Sequence, residues 1–379
     1  MQARNSPSRQ GENEAFDTPP PLRIFAAVHR PLLAAFAAFV CLSPFRAEAQ
    51  QDTPQKLPPS TVYFSQDPDV IDEFEEKTAI SRRMVDRLVI AVTGAPDSVQ
   101  AWKSLVTPED RVGIKVAAAG GRYFGSHRGI VDAIVKGLEA SGVPRAHILV
   151  WDRDAADLAA AGFTAQRGGF EVRSIVPAIG YDLKSPFSAP VLGRLIWGDA
   201  RFQEKQKQLG KTPTDADQLS STSYFSKVIA RDVTKIINVP VLSDGAGCGV
   251  AGALYNLTVP NVDNWRRFAQ QDGASSIPDI YADDHIRPKV VITIMDALLA
   301  QYAGGPRFNP NYAFALRTIY ASKDPVAIDA TAFRLIEKWR TEARLKPIAK
   351  LSEWLADAEE MGLGNFAESR ITLQQVYSK

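Results

Sequence analysis

The sequence predicts an α/β fold: a mostly parallel sheet with helices on both faces, and an excursion from that core around residues 178–222. Three observations predict it. Short apolar runs alternate along the chain with segments of helical periodicity. The apolar runs are continuous, as in strands buried on both faces, not alternating apolar and polar. The same rhythm stops at residue 178 and resumes after residue 222.

Each element has its own warrant. Residues 69–88 space Val70, Ile71, Phe74, Ile80, Met84 and Leu88 by helical turns, which predicts an amphipathic helix. The β-branched run at residues 88–92 predicts a strand, residues 98–105 a short helix, and residues 112–117 a second strand. Residues 127–140 place Ile130, Ile134 and Leu138 on one stripe, with Ser126 as the cap. Residues 147–151 predict a strand. Residues 178–222 are broken by Pro186, Pro190 and Pro213 and carry a polar run at 203–208, so they predict a departure from the core. Strands follow at 235–239 and 290–294, with a glycine-rich loop and a helix at 250–257 between them. Asp324-Pro325 opens a long helix to residue 340, the Asp as N-cap and the Pro at the first helical position.

Ahead of that domain, Leu32 to Leu42 is an uncharged apolar run bounded by Arg30 and Arg46, and Ala47-Glu48-Ala49 offers small residues for a signal peptidase. The expectation is a signal peptide over residues 1–49, cleaved near Ala49, and a periplasmic or secreted protein. The run is too short to span a bilayer, so the mature chain is expected to have no transmembrane segment. Residues 50–65 read as a tether, and residues 66–379 as one α/β domain.

Composition excludes several function classes. The 379 residues hold 44 Lys+Arg against 43 Asp+Glu, which leaves no basic excess for nucleic acid. Removing residues 1–49 takes nearly equal numbers of each sign, so neutrality belongs to the domain. With 45% apolar residues the chain is not wholly disordered. Two cysteines, Cys41 and Cys248, cannot build an iron–sulfur cluster or a disulfide framework. The G-x-S-x-G nucleophile elbow is absent.

Three stretches in order resemble the bacterial and archaeal family called domain of unknown function 362. The first runs from Val112-Gly113-Ile114-Lys115-Val116 through Gly120-Gly121 and Ser126-His127 to Ile148-Leu149-Val150-Trp151-Asp152. The second is Ile236-Ile237-Asn238-Val239-Pro240-Val241-Leu242 with Gly249-Val250-Ala251-Gly252-Ala253-Leu254-Tyr255-Asn256-Leu257. The third is Asp296-Ala297, Gly304-Gly305-Pro306 and Ser322-Lys323-Asp324-Pro325-Val326-Ala327-Ile328-Asp329-Ala330. Together they span residues 111–340. The resemblance implies an α/β domain, joined in some members to iron–sulfur modules, with no settled general activity. The family's pattern has an Asn where Ala117 stands, a Lys and a His where Ser243 and Gly245 stand, and a Lys where Tyr255 stands.

Candidate chemistry falls at strand ends and helix starts. Gly120, Gly121, Arg122 and Arg128, with His127, surround a helix start and suit a carboxylate, phosphate or sulfate; a solvated loop with a normal cap is the plain alternative. Gly247, Cys248 and Gly249 with Asn256 belong to a loop of dinucleotide-binding form, where tight strand–helix packing is the alternative and a smaller anion suits better than NAD. Lys115 sits mid-strand among apolar residues: buried, it would be a base or amine nucleophile, and with its head in water it would be neither. Asp152, Asp154 and Asp296 follow strand ends, and Asp329 lies in an apolar helix segment; the four could hold Mg²⁺ or Ca²⁺, or cap helices and pair internally. Cys248 is either a thiolate served by His127 or His285 or a small buried residue. Lys115, His127, Asp152 and Asp329 are thus the catalytic candidates. The expected function is binding of a small anionic ligand at the C-terminal strand ends, beside two alternatives: a metal-assisted or Lys/His acid–base enzyme, and a non-catalytic partner protein.

Overall fold

The computed structural model describes residues 57–377 apart from Glu73, 165–169, 195–218 and Gln270. The expected signal peptide and most of the expected tether lie outside the described residues. Residues 60–65, the end of that tether, instead form a strand of the main sheet.

The strands are β1 Ser60–Gln66, β2 Ile71–Asp72, β3 Glu75–Glu76, β4 Val112–Val116, β5 Ile148–Asp154, β6 Glu171–Val176, β7 Tyr181–Arg194 and β8 Leu219–Ser226. They continue as β9 Lys235–Val239, β10 Val241–Gly245, β11 Gly249–Val250, β12 Val290–Gln301, β13 Ala313–Ser322 and β14 Ile371–Gln375. The main sheet runs β14-β1-β13-β12-β9-β4-β5-β6, and β10 pairs with both β11 and β12. From β12 to β6 all neighbours are parallel. β13 runs antiparallel to β12 and to β1. The α/β architecture with a mostly parallel sheet is as predicted. The excursion around 178–222 contributes β7, which pairs antiparallel with β8 as a separate ribbon.

Both faces of the parallel strands are buried, and alternation along each strand sorts the side chains into two cores. Val112, Ile114 and Val116 join Val150, Ile237, Val239, Ile292 and Ile294 on one face. There they meet Met84, Leu88, Trp102, Ile130 and Ile134 of the helices Thr78–Thr93, Ser98–Lys103 and Arg128–Ser141. Trp151, Ile236 and Met295 join Leu254, Ile280, Ile328 and Trp354 of the helices Ala253–Thr258, Ile277–Ala282, Pro325–Glu342 and Trp354–Glu360. No helix among the described residues is long and apolar enough to cross a membrane.

Two local expectations are corrected. Residues 88–92 are not a strand but the last turns of Thr78–Thr93, where Met84, Val85, Leu88 and Val89 are buried at helical spacing. Packing of that apolar face overrides the β preference of Val and Ile, and Gly94 at φ +69° ends the helix. The first half of the predicted helix, residues 69–77, instead carries the small β2–β3 pair. Ser126 is not a cap either. Its hydroxyl accepts from the Ala117 amide (2.8 Å) and donates to the Val239 carbonyl (2.6 Å), tying β4 to β9, while His127 occupies the cap position. Asp324 does cap Pro325–Glu342, accepting from the Ala327 amide at 3.0 Å.

Candidate functional site

The sheet register brings the polar residues of separate strands into one row. Lys115 of β4 pairs with Asn238 of β9, and Asn238 with Thr293 of β12. The helix Ala253–Thr258 lies over this row and lowers Asn256 onto it. The Lys115 ammonium is wholly buried and donates three hydrogen bonds: to Asp152 Oδ1 (2.6 Å), Asn256 Oδ1 (2.9 Å) and the Val116 carbonyl (2.7 Å). Burial lowers the Lys115 pKa, and the Asp152 charge works against that shift. Asn256 donates in turn to Asn238 Oδ1 (2.9 Å), and Asn238 donates to the Ala253 carbonyl (3.0 Å). Asp152 also accepts the amides of Ala118 (2.7 Å) and Arg153 (2.7 Å). Every donor of Lys115 is therefore engaged, which makes it the fastener of the strand ends.

Directly above this network is a cavity of about 650 Å³ at the C-terminal ends of the strands. That is where open α/β sheets place ligands, and the volume is in the range of small-molecule sites. Its wall includes Ala117 to Gly120 after β4, Asp152, Arg153, Asp154 and Asp157 around the end of β5, Gly245 to Cys248 between β10 and β11, and Gly304 to Arg307 after β12. Tyr255, Trp265 and Arg266 also line it. Arg153 and Arg266 lie over the same Trp265 ring, at 5.1 and 5.4 Å from its centroid. Arg153 also donates to the Tyr181 hydroxyl at 2.6 Å. Arg307 stands 3.6 Å from Asp157. Burial raises the Asp157 carboxyl, with Arg307 opposing and Asp154 and Asp152 adding to the rise. Asp154 is occupied as the cap of Ala155–Ala160, accepting from the Ala156 amide at 2.8 Å. Asp244 accepts from the Gly305 amide (2.8 Å), and Gln301 donates to the Arg307 carbonyl (3.0 Å), so the last wall is held in place.

The residues singled out from the sequence divide between this cavity and its surroundings. Gly120, Asp152, Gly247, Cys248 and Asn256 line it. Lys115 lies beneath. Gly121, Arg122, Arg128 and Gly249 are not among the lining residues. Arg122 pairs with Glu75 at the surface, and Arg128 donates to the Gly162 carbonyl (2.8 Å) and pairs with Asp132 (3.4 Å). The two arginines thus do not converge on one anion. His127 is buried elsewhere, its Nδ1 at 2.8 Å from Asp296 Oδ2 and its backbone amide on the same oxygen at 2.6 Å. Burial opposes the imidazolium, but Asp296, Glu76 and Glu75 outweigh it and the His127 pKa is raised. The Cys248 thiol is 2% exposed and pushed up by burial, with Asp244 and Asp329 adding to it. It is a small buried residue, not a thiolate. Among the described residues, no group of three or more His, Cys, Asp or Glu is placed to hold a metal ion.

Asp329 explains the glycine-rich loop. Its carboxylate accepts the amides of Ala253 (2.5 Å) and Leu254 (2.8 Å) at the start of Ala253–Thr258. The place where a bound phosphate would sit is filled by the protein's own carboxylate. A Cβ at Gly252 would fall 2.1 Å from Asp329 Oδ1, so this glycine is required by close approach. Gly252→Ala is expected to cost about 1–3 kcal/mol in thermal unfolding, because the carboxylate must move off its amides.

Arg153, Tyr255, Trp265, Arg266 and Arg307 were not among the sequence candidates. Arg153 does carry a sequence signal: it lies just past a predicted strand, between Asp152 and Asp154. The stretch holding Trp265 and Arg266 reads as helical, and Arg307 follows Gly304-Gly305-Pro306.

No curated protein and no solved structure matches the chain. Residues 200–334 match the family model described as Domain of unknown function (DUF362). That segment supplies β9 to β12, the helix Ala253–Thr258, Asp329 and the Trp265 and Arg307 walls, while Lys115 and Asp152 come from residues that precede it. Over residues 200–334, just over a third of the chain, the sequence is thus similar to the DUF362 family.

Proposed function

We propose that the protein binds a small anionic ligand in the strand-end cavity. The observation that carries this reading is the convergence of Arg153, Arg266 and Arg307 on one concave site above a fully satisfied polar network. The Lys115 charge beneath offsets Asp152, and Asp157 is already opposed by Arg307. Asp154 is spent on helix amides. The guanidinium forks are therefore the side chains best suited to receive a ligand charge, by bidentate hydrogen bonding. We also propose that residues 1–49 direct export and are removed, which N-terminal sequencing of protein from the periplasm checks.

The binding test is calorimetric titration with acetate, butanoate, inorganic phosphate and sulfate. Arg266→Ala and Arg307→Ala are each expected to weaken the best of these roughly threefold to tenfold, as for partly exposed charge-assisted bonds, and to flatten its salt dependence. Unchanged affinity in both variants would remove the cavity as the anion site.

A further inference from the structure

We propose that the ligand is an amphiphilic organic acid: an anionic head at the mouth of the cavity and an apolar body in its deep end. This rests on the anion-binding reading above and names its ligand class. Burial sorts the wall into two zones. Arg266, Pro306 and Arg307 are exposed and form the mouth, with Arg153 half-buried beside them. Ala118, Val241, Gly245, Cys248 and Ala251 are buried and form the deep end.

Two polar side chains also reach that deep end, and both are committed. Asp152 accepts from Lys115 and from two backbone amides. Asn256 accepts from Lys115 and donates to Asn238. The Cys248 thiol donates to the Val250 carbonyl at 3.4 Å. A wholly polar anion pushed into this end would give up water and find few uncommitted side-chain donors, the Tyr255 hydroxyl being one, which is costly. An apolar body there gains by leaving water. At the mouth the preference reverses. Arg153 and Arg266 are aligned by stacking on Trp265, and Arg307 lines the same cavity from the loop after β12. Guanidinium groups suit a carboxylate or a phosphate monoester alike.

The test is calorimetry on the full-length mature protein with straight-chain carboxylates from butanoate to octanoate, with octyl phosphate, 1-octanol and inorganic phosphate. Affinity is expected to rise roughly threefold per methylene from butanoate to octanoate. 1-Octanol is expected to bind at least tenfold more weakly than the tighter of octanoate and octyl phosphate, and that comparison identifies the head. The head preference is expected to vanish in the Arg266→Ala/Arg307→Ala double variant. Ala251→Leu, which fills the deep end, is expected to erase the chain-length gain while butanoate still binds. If thermal unfolding shows that Ala251→Leu does not fold, Ala119→Leu on the same wall serves instead. Inorganic phosphate or butanoate binding as tightly as octanoate would overturn the proposal and leave the anion reading standing. A chain-length gain that survives the wall variant would overturn it too. Absence of binding by every anion would remove both.

Discussion

Replacing Lys115 with methionine is expected to lower the unfolding free energy by about 3–5 kcal/mol, the range for breaking a buried ion pair by deleting one partner. The chain length of methionine is similar, so little packing is lost. What is lost is the charge that lets Asp152 be buried as a carboxylate. Asp152 would keep only the Ala118 and Arg153 amides, and the Asn256 side-chain carbonyl would lose its donor. Urea unfolding of Lys115→Met, Asp152→Asn and the double variant checks this as a cycle. The double variant is expected to lose less than the sum of the singles, because the second change removes the stranded charge left by the first. A loss under about 1 kcal/mol for Lys115→Met would show that the network does not fix the strand ends. Ligand affinity should fall with it, since Asp152 and Asn256 shape the floor of the cavity.

How far the sequence disclosed this site depends on the kind of signal each residue leaves. Lys115 was legible because a charge inside a continuous apolar strand demands an explanation. Sequence left open whether its head reached water. The answer needed the sheet register, which sets Asn238 beside it, and the helix that carries Asn256 over it. Asp152 was legible as a carboxylate at a strand end, and Asp329 as a carboxylate inside an apolar helix. Their roles were not, because each is defined by backbone amides far away in sequence. The arginines of the mouth left almost no trace. Arg153 ends strand β5, Arg266 lies in the short turn Trp265–Arg267 and Arg307 in the loop after β12, and no local periodicity encodes that meeting. The strand predicted at residues 88–92 failed for a related reason. Val and Ile favour strands, yet their burial against Arg128–Ser141 is set by the tertiary fold. A fold class survives such errors, since the alternation of elements is redundant along the chain, whereas a site assembled from single residues of several loops has no redundancy.

Asp329 should give the protein a pH-dependent stability of a distinctive sign. Its carboxyl is fully buried, and burial pushes it up to about 7 against the two amides that favour the ionised form. In the unfolded chain it returns to the ordinary value of 3.8. Between those two values the folded state holds a proton that the unfolded state has released. The stability this group contributes is therefore complete below about pH 4 and falls as the pH rises toward 7. The slope is about 1.4 kcal/mol per pH unit, so the change across the window is on the order of 4 kcal/mol. Asp329→Asn keeps an acceptor for the Ala253 amide and removes the titration. The difference in unfolding free energy between wild type and Asp329→Asn, measured at intervals from pH 4 to pH 8, is expected to move against the wild type as pH rises and to level off above 7. A difference that stays flat over this window would mean that the carboxyl is ionised throughout, its charge held by the helix amides. The Gly252→Ala variant separates the two cases further. A Cβ at position 252 crowds the carboxyl off the Ala253 and Leu254 amides that favour its ionised form, so with burial kept the slope should persist in Gly252→Ala and extend to higher pH.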